Sequence, residues 1–115
     1  MAKMLVVLIT GKENINTEMV AFNFAVNTAK NAGATVEMLF LGRGIQALNS
    51  RQRNSAEFGR QIEEAKSAGV TLKGCSVSAK AEGIGELDIF PGVELVMGGV
   101  EVSRRIDEGY SVLTF

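Results

Sequence analysis

The chain of 115 residues contains no histidine, no tryptophan, one proline and one cysteine. Each shortage removes a class of chemistry. Without histidine, most familiar acid–base and nucleophilic designs have no imidazole to use. With a single thiol, no internal disulfide closes, and the residue set for a zinc site is missing. No metal or cofactor is therefore expected. No apolar run approaches the ~18–20 residues of a membrane span. The apolar run Met4–Ile9 is shorter than the ~7–15 residues of a signal-peptide core, and no small-residue cleavage site follows it. A buried strand accounts for it better. One cysteine and no signal point to the reducing cytoplasm. Charge of one sign is also lacking. Twelve basic and thirteen acidic residues leave a net charge of −1. Nucleic acid is thus not the default partner, because phosphate recognition needs a basic excess or patch. The only basic cluster is Arg43, Arg51 and Arg53 with Arg60. No Walker A pattern is present, so ATP hydrolysis is not expected.

What is present is the composition of an ordinary globular protein, 46% hydrophobic and 22% charged. The length predicts one domain over residues 1–115, large enough for one real core. Short apolar runs alternate with longer helical stretches. Strands are predicted at Met4–Ile9, Thr35–Leu41, Val70–Cys75, Val93–Met97 and Tyr110–Phe115. The unbroken apolar pattern of the first implies burial on both faces. Helices are predicted from Glu18 to about Asn31, from Ser55 to about Ser67, over Ser78–Gly83, and from Gly98 to about Glu108. Asn16 or Thr17 is the expected cap of the first, with Val20, Ala21, Phe24, Ala25 and Ala29 on its apolar face and Gly33 as its stop. Ser55 is the expected cap of the second, whose buried face carries Phe58, Ile62 and Ala65. Ile45–Asn54 reads as irregular and polar, with room for one helical turn. Strands alternating with helices imply right-handed crossovers: a three-layer α/β domain with helices on both faces of a mostly parallel sheet.

Ligands of such sheets bind beyond the carboxyl ends of the strands. The candidate rim is Thr10-Gly11, Gly42-Arg43-Gly44, Cys75–Ser78 and Gly98-Gly99. Gly42-Arg43-Gly44 is only a G-x-G and reads first as a structural turn. Gly98-Gly99 reads first as close packing of a helix on the sheet. Cys75 stands at a strand end just before a helix, where free N–H groups stabilise a thiolate. Backbone N–H groups of Ser76, Val77 and Ser78 are the candidate anion-stabilising turn. Lys12, Lys73 or Lys80 would add to the effect if near. The bland alternative is that Cys75 is buried filler. Glu82, Glu86 and Asp88 read as a solvated acidic face near the thiol loop. Met4, Met19, Met38 and Met97 read as core, and Arg104-Arg105 as a solvated or subunit-contacting pair.

Over nearly its whole length the chain resembles the DsrE/DsrF-like family, which includes the TusD-type sulfur-relay proteins. The resemblance rests on Val6-Val7-Leu8-Ile9-Thr10-Gly11, on Phe24-Ala25 before Gly33, and on Phe40-Leu41-Gly42-Arg43-Gly44. It continues through Ala68–Cys75 with Gly83-Ile84, and through the ending Asp107–Phe115. It implies a compact five-stranded α/β fold and assembly into homo-trimers or homo-hexamers. It also implies a sulfur carrier or sulfurtransferase in which Cys75 takes sulfur as a persulfide from a donor protein and yields it to an acceptor protein. Some relatives carry a second cysteine close after the first. Here Ser76 and Ser78 occupy that stretch, so a resolving thiol must come from another molecule. The other readings of the chain are a non-catalytic module binding a small ligand or nucleotide at the same rim, and a structural oligomer subunit with an incidental cysteine.

Overall fold

Runs rich in valine and leucine become the strands of one sheet. In the computed structural model, which describes residues 1–115, these are β1 (Lys3–Leu8), β2 (Thr35–Phe40), β3 (Thr71–Cys75), β4 (Glu94–Val96) and β5 (Ser111–Thr114). The order is β4-β3-β2-β1-β5. Every strand pairing is parallel, so the expectation of a mostly parallel sheet is exceeded. The helices are α1 (Ile15–Ala32), α2 (Ser55–Ser67), α3 (Ser76–Ala81) and α4 (Gly98–Asp107). No helix is long and apolar enough to cross a membrane.

The strand order fixes the layers. From β1 to β4 the chain steps across the sheet in one direction, so right-handed crossovers keep α1, α2 and α3 on one face. The connection from β4 to β5 returns across the sheet, and the same handedness carries α4 over the other face. The two faces are unequally filled. The α1/α2 side holds the main core, with Phe22, Phe40 and Phe58 packed edge and tilted against one another. The α4 side holds only Leu5, Val7 and Leu39 fully, with Leu41, Val96, Val102 and Tyr110 half-buried around them.

Several local expectations are corrected. The first helix begins earlier, because Asn14 caps it: its Oδ1 accepts from the Thr17 N–H at 3.1 Å. Gly33 ends it in the left-handed region at φ 65°, where a side chain would be strained. Phe22 and Val26 face the core, while Val20 is exposed. Ser55 lies inside α2 rather than capping it, and Asn54 in the cap position makes no side-chain capping bond. Phe58, Ile62 and Ala65 are buried as expected. The segment expected to be irregular contains a 3-10 run, Gly42–Leu48. Its Ile45, Ala47 and Leu48 are buried and pull it onto the sheet. Gly44 permits that approach, since a Cβ there would collide with the Leu8 carbonyl oxygen. Met38 is core, Met4 and Met19 are half-buried, and Met97 is 62% exposed, contrary to expectation.

Candidate functional site

The chain leaves β3 toward one face of the sheet and leaves neighbouring β4 toward the other. Divergence between adjacent parallel strands marks the carboxyl-end position where open sheets bind ligands. Cys75 is the last residue of β3 and pairs in register with Val96 of β4. Alternation along β3 sends Leu72 to the α1/α2 core, while Lys73 meets Glu101 of α4. Cys75, two residues on, shares the Lys73 side. A Cβ built on Gly98 would stand 3.2 Å from the Cys75 Sγ and 2.6 Å from Leu41 Cδ1. Glycine at the first position of α4 therefore lets the helix start lie against the sulfur.

Cys75 also occupies the cap position of α3, and its Sγ accepts from the Ser78 N–H at 3.4 Å. The Ser78 Oγ accepts from the Gly42 N–H at 2.8 Å. That bond leaves the hydroxyl proton free for the sulfur. Burial pushes the Cys75 thiol up, but the Ser78 hydroxyl and the N–H groups of Ser78, Gly98 and Val77 outweigh it. The net direction is below an ordinary cysteine, because these donors favour the anion. The residue is only 5% exposed, so the sulfur is buried against the start of α4.

Beneath α4, charged side chains fill the face that apolar ones leave open. Lys73 Nζ lies 3.0 Å from Glu101 Oε2 and 3.6 Å from Glu37 Oε1. Arg105 reaches Glu37 at 2.6 Å, Glu101 at 3.2 Å and Glu108 at 2.8 Å, and its guanidinium lies 4.9 Å over the Tyr110 ring. Arg104 donates to both oxygens of Glu101. Burial raises Glu37, and its contact with Glu101 adds to that rise. Burial also pushes Glu101 up, but bonds from Glu37, Arg104 and Lys73 prevail and hold it below the usual carboxylate range. Glu37 Oε2 is buried and makes no hydrogen bond. The network bolts the first two turns of α4 to β2 and β3, and with them Gly98 to the sulfur.

The sequence profile of the DsrE/DsrF-like family matches residues 3–115. The chain belongs to that family. Solved structures agree on the fold. The ychN protein of E. coli superposes with a TM-score of 0.83 at 19% identity, covering 100% of each chain. MTH1491 of Methanobacterium thermoautotrophicum, of unknown function, gives 0.82 at 19% identity, again over 100% of each chain. BT1422 of Bacteroides thetaiotaomicron, also of unknown function, gives 0.76 at 16% identity, over 98% of this chain and 94% of the other. No curated protein matches in sequence. The family is associated with sulfur relay in general.

On this DsrE/DsrF-like sheet the expected rim residues divide between two places. Cys75, Val77, Ser78, Gly42 and Gly98 meet around the sulfur. Gly11 and Arg43 stand apart, joined through Glu13, which accepts from the Gly11 N–H at 3.1 Å and from Arg43 at 3.0 Å. No bond from Thr10, Gly44, Ser76 or Gly99 reaches the sulfur. The lysine expectation fails for Lys73, whose ammonium belongs to the α4 network, and no lysine is among the main influences on the thiol. Of the expected solvated arginine pair, Arg104 is exposed and pairs with Glu101 and Glu108 of its own helix end, while Arg105 is half-buried and spent on Glu37. Of the acidic group, Glu82 accepts from Gln46 at 2.7 Å and Asp88 pairs with Arg51 at 3.5 Å. Sequence reading passed over Glu37 and Glu101. A signal was available: Glu37 and Lys73 each stand inside strands predicted to be buried, where charges persist only when paired.

Proposed function

We propose that this DsrE/DsrF-like chain is a sulfur carrier that holds its cargo as a persulfide on Cys75. The supporting observation is the sulfur's position: the only thiol of the chain lies at the carboxyl end of β3 where β3 and β4 diverge, ringed by Ser78, Val77 and Gly98 donors. The Cys75 thiolate attacks the outer sulfur of a donor persulfide. The donor S–S bond breaks, the donor leaves as a thiolate, and Cys75 becomes the persulfide. An acceptor thiolate then attacks that outer sulfur and regenerates the Cys75 thiolate. Each step makes one S–S bond and breaks one, so no external oxidant is needed. The same donors that hold the thiolate serve Cys75 as the leaving group of the second step. Donor and acceptor are proteins in this reading, and the compartment is the reducing cytoplasm.

Assembly into a homo-trimer or homo-hexamer belongs to the same proposal. Its support is apolar surface on the thinly covered α4 side, where Met97, Val100, Ile106 and Val112 are exposed. Interface cores are built from such surface. The test of the carrier reading is transfer of labelled sulfur from a protein persulfide donor. The parent protein takes up one sulfur that a reductant removes, and Cys75→Ser takes up none. Equal uptake by Cys75→Ser would refute the assignment.

A further inference from the structure

A cleft opens at the same end of the sheet as Cys75 but on the α1/α2 side, with a volume of about 650 Å³. It shares no lining residue with the groups around Cys75. Its floor is apolar, made by Ile15 at the start of α1 and by buried Ile84. Its walls are amides: Gln46, Asn49, Gln52 and Asn54. Lys12, Arg53 and Glu82 supply the charges.

The walls are fixed rather than loose. Gln46 is held at both ends, its Oε1 accepting from the Lys12 N–H at 2.9 Å and its Nε2 donating to Glu82 at 2.7 Å. The Gln52 Nε2 donates to the Gln46 and Ala47 carbonyls, which leaves its Oε1 free as an acceptor. The Asn49 Oδ1 accepts from the Arg51 N–H, which leaves its Nδ2 free as a donor. Preset donors and acceptors lose little order when a ligand arrives. The charge pattern is selective too. Arg43 and Arg51 nearby are neutralised by Glu13 and Asp88. Lys12 and Arg53, which line the cleft, have no carboxylate within ion-pair distance.

We propose that this cleft binds a small hydroxylated anion, with its phosphate or carboxylate on Lys12 and Arg53 and its hydroxyls on the amide walls. The volume lies within the ~300–1,000 Å³ of small-molecule sites. Arginine offers a planar fork to either kind of anion, and lysine a mobile point charge. Asn49 and Gln52 present a free donor and a free acceptor, the complement of a hydroxyl. No aromatic ring lines the cleft, so nothing is placed to stack a base, and a nucleotide is the poorer fit. The site stands independently of the role of Cys75.

Amide NMR titration of the intact protein tests the proposal, with glucose 6-phosphate and gluconate as charged probes, glucose as the neutral one, and AMP as the base-bearing one. Glucose 6-phosphate or gluconate should shift the amides of Gln46, Asn49, Gln52 and Arg53 at millimolar concentration, and the stronger of the two identifies the headgroup. Glucose should bind far more weakly. Lys12→Gln and Arg53→Gln should each weaken binding about tenfold, the loss of one charge-assisted contact. Arg60→Gln removes a charge outside the cleft and should leave affinity unchanged. All three side chains are exposed, so the variants should keep the parent's spectral dispersion. No cleft-centred shift with either charged probe would overturn the proposal. So would shifts that survive both cleft variants, equal weakening by Arg60→Gln, or tighter binding of AMP than of glucose 6-phosphate.

Discussion

At the scale of single residues, Ser78 decides how the thiol behaves. It gives Cys75 a backbone N–H and a hydroxyl, and its Oγ is anchored by Gly42. Ser78→Ala keeps the N–H and loses the hydroxyl. One hydrogen bond of ~1 kcal/mol corresponds to about a fivefold smaller thiolate fraction below the midpoint. The alkylation rate near neutral pH should fall by that factor, and the midpoint should move up. An unchanged profile would remove Ser78 from the account. Glu18 is a second sensitive residue. It is buried, its Oε1 has no partner, and burial with Glu13 nearby raises its pKa from 4.5 to about 7. The folded protein therefore holds this proton more tightly than the unfolded chain. The resulting stability is fully present below about 4.5 and is lost as pH rises through about 7. Glu18→Gln should escape that loss. Against the parent, its stability in denaturant should improve between roughly pH 5 and 8, by on the order of 2–3 kcal/mol. Parallel stability–pH curves would contradict the assignment. Cys75 stood out in the sequence because it is unique. Glu18 did not, because a glutamate in the first turn of a helix is ordinary and its burial depends on what packs over it.

At the scale of elements, α4 is the part that ties fold to site. Its first residue touches the sulfur, and its next turns carry Glu101, Arg104 and Arg105 into the charged network over β2 and β3. Removing one member of a buried pair leaves the other uncompensated, typically at ~3–5 kcal/mol. Lys73→Met should destabilise the fold by about that amount. It should also raise the midpoint of Cys75 alkylation, since a loosened α4 withdraws the Gly98 N–H. A loss of stability with no change in the thiol would make the network purely structural. Gly44→Ala tests the other anchoring contact, where the 3-10 segment crosses the Leu8 carbonyl. Backbone cannot yield as a side chain does, so the cost should exceed the ~1–3 kcal/mol of ordinary overpacking, measured by chemical denaturation. Element types were legible because β-branched runs and helical spacing mark them. Starts were less so. Asn14, Asn16 and Thr17 are all competent caps, and only the loop path selects Asn14. The 3-10 run was legible only as a single turn, because Ile45, Ala47 and Leu48 fit no single period.

At the scale of the whole molecule, a parallel sheet with one reversal of direction has one place where neighbouring strands send the chain to opposite faces, and the only thiol stands there. The parallel α/β fold followed from alternating strands and helices, and the rim followed from the fold. Which rim loops would meet did not, because this depends on strand order. The position of β4 beside β3 brings Gly98 to Cys75, while Thr10 and Gly11 follow β1, two strands away from β3. The apolar α4 side carries a prediction of its own. Val100, 61% exposed, and Ile106, 54% exposed, should be covered by neighbouring subunits. The parent should then sediment as a trimer or hexamer and Val100→Glu/Ile106→Glu as a smaller species, whereas a monomeric parent at micromolar concentration would remove assembly from the account. An activated Cys75 thiolate is tested first by its rate of alkylation against pH in the native protein, followed by intact mass with a small reagent. The account predicts labelling without denaturant and a midpoint clearly below the ~8.5 of a free thiol. Labelling only after denaturation, or a midpoint at or above that value, would contradict it.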